Sequence, residues 1–244
     1  ELGSPYFAPP LQESFTKNLE RSTPICRIAL CLDSFNGAPT DPEVIEITKN
    51  VASSLENLGH QIEPTYLPID PDIVRAAHGV LAISHVGASV AKMAEKFNIT
   101  IKEEHLERVT WNNYLASQQI TGANYAQAVS DIHQLGRKIS VFFEDYDLIL
   151  SPTMACTPPK IGELDMMSEN TESYLELLYR MIGYTSIFND SGHPACSIPT
   201  GLSKGGLPVG IQLAAPFGNE SLLFKIAHDL ESENLFSPIL PLNG

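Results

Sequence analysis

Apolar positions along the chain recur in two rhythms. From 25 to 32, "ICRIALCL" is an apolar run with β-branched members, which predicts a buried strand. After "TDPE" the spacing becomes helical. Val44, Ile47, Val51, Leu55 and Leu58 form one stripe, and Gly59 reads as the stop. In "TDPE", Thr40 and Glu43 fit a capping box and Pro42 suits the first turn. His60, just past the stop, is expected at the surface. "QIEPTYLPI" (61–69) predicts a second short strand. Strand, helix and strand make a βαβ unit, which implies parallel pairing.

Residues 71–97 predict a long helix. Its Ala77, Leu81, Ser84, Ala88 and Ala91 share a face of small residues suited to close packing. Further helices are expected over 103–116 and 121–145, the latter with Tyr125, Val129, Ile132, Ile139 and Phe142 on one side. "DLILSP" (147–152) predicts a short buried strand, and 170–186 a helix. "PACSIPTG" and "PVGIQLAA" predict two strands joined by the hairpin "LSKGGL". Residues 219–232 close with an amphipathic helix, for which Asn219 is the expected cap. The fold class is α/β, a mixed β-sheet flanked by helices. The expected organisation is a polar, Pro-rich, linker-like segment (1–24), a βαβ unit (25–70), a helical flap (71–145) and carboxy-terminal strands and helices (146–244).

Composition narrows the function. The chain has 244 residues and a net charge of −14, which argues against nucleic-acid and anionic-membrane partners, because both demand clustered Lys and Arg. No signal peptide and no run of eighteen apolar residues is visible, so a soluble protein is expected. Cys26, Cys31, Cys156 and Cys196 show no zinc-ligand spacing and read as reduced thiols of a cytoplasmic protein. No HExxH motif supports a metal. The turn after the first strand holds only Gly37, so no dinucleotide fingerprint is present, and no cofactor is expected.

The stretch "NDSGHPACSIPTG" (189–201) places Asp190, Ser191 and His193 within four positions. These are the residue types of a hydrolase triad, yet neighbours in an extended loop point different ways, and triads draw on distant segments. No G-x-S-x-G elbow is present. Asn, Asp, Ser and Gly in a row are also what a turn before a strand requires. His78 and His85 are seven apart and share a helix face, beside a pocket or facing solvent. Ser84 is either a pocket wall or a small residue bonded to its own helix carbonyl. Neither Cys156 nor Cys196 has a visible base nearby, so both read as inert thiols.

"YDLILSPTMACTPPKIGEL" (146–164) and "FNDSGHPACSIPTGLSKGGLPVGIQLAAPFGNESLLFKIAHDLE" (188–231) strongly resemble the carboxy-terminal part of the amidase signature family. Three family patterns occur in order, D-x-[LI]-x-x-P-T, F-N-x-[ST]-G-x-P-A-x-S-x-P-x-G and [GL]-[LM]-P-x-G-[VI]-Q, and the family's E-x-x-L-L helix is matched more loosely by "ESLLF" (220–224). Within the family the pattern is most similar to 6-aminohexanoate cyclic dimer hydrolases. Such enzymes carry a Ser–cisSer–Lys triad on a Gly/Ser-rich signature. No G-S-S-G-G-type stretch occurs in this chain, and Ser53-Ser54 sits in a helix without glycines. The chain also starts at Glu1 rather than Met. The resemblance therefore implies the carboxy-terminal half of a longer amidase fold, with no catalytic residue of its own and inactive alone. The implied partners are an amino-terminal half and a small-molecule amide substrate, with self-association left open. The implied substrate-wall residues are Ser84, His85, Thr153, Asn189, Ser191 and His193. Two rival readings are a non-catalytic subunit or binding module, and an independent hydrolase built from Ser191 or Cys196 with His193.

Overall fold

The computed structural model describes residues 9–11 and 13–232. The linker-like opening before residue 9 and the tail after 232 lie outside the described residues. Within the opening segment, the short helix α1 (Phe15–Leu19) rests on the last helix, where Phe15 and Phe224 place their ring centroids 4.9 Å apart.

Five strands form one mixed sheet in the order β2-β1-β3-β5-β4. They are β1 (Arg27–Leu30), β2 (Gln61–Pro64), β3 (Leu148–Pro152), β4 (Ala195–Leu202) and β5 (Pro208–Ala214). The β1–β2 and β1–β3 pairs are parallel, as the βαβ pattern predicts, and β3–β5 and β5–β4 are antiparallel. Side-chain alternation divides the central strands between two cores. Ile28, Leu30, Leu148, Leu150, Ile211 and Leu213 point to one face, under α2 (Pro42–Asn57) and α8 (Glu220–Ser232). Ala29, Ile149 and Ala214 point to the other, under α3 (Pro71–Phe97), α5 (Gly122–Phe142) and α7 (Ser186–Ser191). Each fully buried aliphatic side chain contributes about 1.5–3 kcal/mol.

The helix ends explain several departures from the sequence reading. The expected Thr40–Glu43 capping box does not form. Asp41 is the N-cap of α2, and its carboxylate takes Arg180 at 2.5 Å instead of the helix amides. Thr40 bonds the Tyr184 hydroxyl at 2.7 Å, and Glu43 accepts from the Lys204 amide. His60 is buried rather than exposed, because its Nδ1 accepts the Cys26 amide at 3.1 Å. The helix expected over 103–116 is a 3-10 turn (Glu103–His105) followed by α4 (Arg108–Ser117). The helix expected over 170–186 ends at Ile182 as α6 (Thr171–Ile182). There Gly183 meets the β1–α2 loop, and its carbonyl accepts the Phe35 amide at 2.9 Å. Asn189, Asp190 and Ser191 form the last turn of α7 rather than a strand-entry turn, with Gly192 at φ 77° as the C-cap.

The helix α3 spans 27 residues and is, by length and composition, apolar enough to cross a membrane. In this fold it packs along α5 and α4. The contact with α4 depends on Gly87, since a Cβ there would stand 2.5 Å from the Ser117 Cβ. Gly87→Ala is expected to lower unfolding stability by about 1–3 kcal/mol through overpacking, and Gly87→Ala with Ser117→Gly to recover most of it. Denaturant unfolding of the two variants checks this, and equal losses would rule out the contact as the cause.

Candidate functional site

The loop between α7 and β4 carries the most concentrated polar chemistry. One helical residue step turns a side chain by about 100°, so adjacent residues at the end of α7 address different neighbours. Asp190 faces α3, where both carboxylate oxygens meet His78 Nδ1, at 3.0 and 3.1 Å. Ser191 faces the other way and bonds His193 Nδ1 at 3.0 Å. His193 is buried, tilts against Phe143 with ring centroids 5.5 Å apart, and places its Nε2 3.2 Å from the Ser140 hydroxyl on α5.

The hydrogen-bond chain assigns the tautomer. Ser140 donates to the Gly136 carbonyl of its own helix at 3.0 Å, so its proton is committed. Nε2–H of His193 then donates to Ser140 Oγ, and Nδ1 accepts from Ser191. Burial pushes the His193 pKa down, which keeps the ring neutral. The Ser191–His193 pair thus exists, but the acid beside it is engaged by His78 and does not orient His193. The three residues of the suggestive motif do not form an acid–base–nucleophile relay.

A second polar group stands on the sheet. Thr153, just after β3, bonds Ser197 of β4 at 2.8 Å across the intervening strand β5. Gly210 of β5 makes the crossing possible. A Cβ there would lie 3.2 Å from Thr153 Oγ1 and 3.3 Å from Ser197 Oγ. One step along the same face, buried Gln212 donates to Ser151 at 3.3 Å and to the Tyr184 carbonyl at 2.9 Å. Toward β4 this face lies open, since Ala195, Ser197 and Pro199 are exposed.

The six sequence-suggested wall residues do not converge on one cavity. Ser84 lines a cleft of about 410 Å³ between α3 and the α4–α5 turn, and its hydroxyl bonds the Val80 carbonyl of its own helix at 2.6 Å. His85 lines a separate cleft of about 530 Å³ with Met93 and Leu106, and its ring bonds the Leu81 carbonyl at 2.8 Å. Ser191 and His193 line a third cleft, Thr153 stands on the sheet, and Asn189 is exposed on α7. The sequence reading did not single out Ser140 and Ser197, the hydroxyl partners of His193 and Thr153. It noted His78 only for its helix face, and nothing local marks Asp190 as its partner. All four cysteines are free. Burial pushes Cys196 up to about 11 and raises Cys156, so both thiols are protonated at neutral pH. Among the described residues, no group of three or more His, Cys, Asp or Glu could hold a metal ion.

Comparison with known proteins adds a context for this geometry. A family model described as Amidase matches residues 4–224. The 6-aminohexanoate-cyclic-dimer hydrolase of Paenarthrobacter ureafaciens is 26% identical over 239 residues, covering 94% of this chain and 48% of that protein. A putative amidase AmiC of Mycobacterium tuberculosis is 32% identical over 197 residues, covering 78% of this chain and 40% of that protein. A solved structure of 6-aminohexanoate cyclic dimer hydrolase superposes with a TM-score of 0.86 at 25% identity, covering 96% of this chain and 50% of that one. The chain spans about half the length of the curated relatives it matches.

The His78–Asp190 pair makes a pH-dependent contribution. Its carboxylate partner raises the His78 pKa above the usual value near 6.5. A raised folded pKa contributes stability that is complete below the unfolded pKa and fades as pH rises through the folded one. His78→Gln should therefore cost more stability at about pH 5.5 than at about pH 8.5. Urea unfolding of wild type and variant at both values checks the sign. Differencing against wild type removes the opposing slopes of His60 and His193, both lowered by burial. Equal costs at the two pH values would show that the charged pair is not what joins α3 to α7.

Proposed function

The chain belongs to the amidase family, and we propose that it forms the carboxy-terminal half of an amidohydrolase whose Ser–cisSer–Lys triad lies on an amino-terminal half. The observation that carries this reading is an uncovered seam. The strand β4 is an edge strand, and Ala195, Ser197 and Pro199 on one face are exposed. An unpaired eight-residue edge is a surface that proteins ordinarily cover. Beyond the sheet, α6 gathers Leu175, Leu178, Tyr179 and Ile182 at spacings of three and four, yet only Tyr174 of its residues is buried. Coverage of about half of each relative supports a missing body of similar size to occupy that seam.

In this reading a serine of the other half attacks the amide carbonyl, and a neutral Lys accepts its proton through the second serine. Water then resolves the acyl-enzyme. This chain supplies sheet and pocket wall and breaks no bond. Thr153 and Ser197 are the wall residues best placed, because they stand on the open part of the sheet face. The substrate class is a linear or cyclic small-molecule amide, by analogy with relatives named as 6-aminohexanoate cyclic dimer hydrolases. The four free cysteines support a cytoplasmic setting. No cofactor, nucleic acid or membrane is invoked. Without the other half, the open edge is expected to drive self-association.

One observation favours a second reading, an independent serine hydrolase. Ser191 and His193 are in contact at 3.0 Å. Against it, His193 has no carboxylate partner among the described residues. The experiment is to assay cyclic and linear 6-aminohexanoate amides with the chain alone and with the chain joined to an amidase half that carries the triad. Turnover is expected only in the joined form, and Ser191→Ala should leave it within about threefold, since the residue is not a reacting group. Turnover by the isolated chain that Ser191→Ala abolishes would overturn the first reading in favour of the second.

A further inference from the structure

We propose that Asn36–Gly37, in the loop between β1 and α2, is a gated deamidation site. Closed, the loop protects Asn36, and each opening exposes it to an irreversible conversion that loosens α6. Asparagine before glycine is the pair most prone to this reaction, because glycine has no side chain to block the approach. The Gly37 amide nitrogen attacks Asn36 Cγ, the new N–Cγ bond displaces Nδ2, and ammonia leaves with the proton lost by Gly37. Water then opens the succinimide to aspartate or isoaspartate.

The closed loop holds each reacting group. Asn36 is 2% exposed. Its Nδ2, the leaving group, donates to the Tyr179 carbonyl of α6 at 2.9 Å, and its Oδ1 accepts the Ala38 amide at 3.1 Å. The attacking nitrogen is engaged too, since the Gly37 amide donates to the Ser34 carbonyl at 3.2 Å. Ser34 closes the loop by donating its hydroxyl to the Ala38 carbonyl at 2.6 Å. Gly37 itself is exposed, so water reaches the pair once these bonds open.

The product cannot remake these contacts. A carboxylate at position 36 has no proton to give the Tyr179 carbonyl, and burying it there is costly. Arg75, the cation beside the loop, is already committed to the Asn36 main-chain carbonyl and to Asp72. Isoaspartate also lengthens the main chain next to Phe35, whose amide ties the loop to the Gly183 carbonyl at the end of α6. The inference does not rest on the amidohydrolase reading, and its test measures no turnover, so either can fail alone.

Mass spectrometry of the full chain, aged in mildly alkaline buffer with and without denaturing urea, tests it. Trypsin releases residues 28–49 as one peptide, in which Asn36 is the only side-chain amide, so any amide-to-acid mass change there belongs to Asn36. Conversion is expected in urea, and in plain buffer it should be about a hundredfold slower or more, the scale of a local opening. Ser34→Ala should speed the reaction in buffer about threefold to tenfold, the scale of losing one hydrogen bond, and leave the rate in urea unchanged. Gly87→Ala, which disturbs the distant contact of α3 with α4, should leave both rates unchanged. Asn36→Asp, which mimics one product, should unfold at lower urea than wild type. Equal conversion in buffer and urea, no effect of Ser34→Ala, an equal acceleration by Gly87→Ala or a wild-type midpoint in Asn36→Asp would each overturn the inference.

Discussion

Burial of β1, β3 and β5 on both faces is the constraint on which the rest of this structure depends. Successive side chains of a strand point to opposite sides, so three adjacent apolar strands create two apolar surfaces at once. Each surface needs a helical layer. Leu148 and Leu150 need α2 and α8, whereas Ile149 needs α5 and α7. The long excursion from β2 to β3 follows from this. It has to deliver α3 and α5 to the second face before the chain returns at Leu148.

The same constraint shows which part of the sheet stays open. The inner strands are closed on both sides, but β4 is closed only on the side of Ile198. The opposite face carries Ser197, joined to Thr153 over Gly210, and then ends in the open. The apolar stripe of α6 is likewise only half-buried. The relatives that this chain matches are about twice as long as it is.

Around α7, helical geometry separates groups that the sequence sets side by side. Asp190 ties α7 to α3 through His78, while Ser191 is tied through His193 to α5. These two links turn the end of α7 into a junction between the flap helices and the sheet.

Much of the fold was legible along the chain. The runs "ICRIALCL" and "DLILSP", the stripe of α2 and the hairpin around Gly205 and Gly206 appear as elements because backbone periodicity and turn conformation are local properties. The amidase resemblance was legible for a related reason, since motifs such as "FNDSGHPACSIPTG" are contiguous. What the sequence left undecided depends on partners far along the chain. Thr40 met Tyr184 rather than Glu43, Asp41 met Arg180, and His60 was drawn inward by the Cys26 amide. A polar side chain is satisfied by whichever donor or acceptor the folded packing brings within about 3 Å. Spacing along the chain therefore determined the elements. Only their packing decided which polar groups meet, and so which part of the surface carries chemistry.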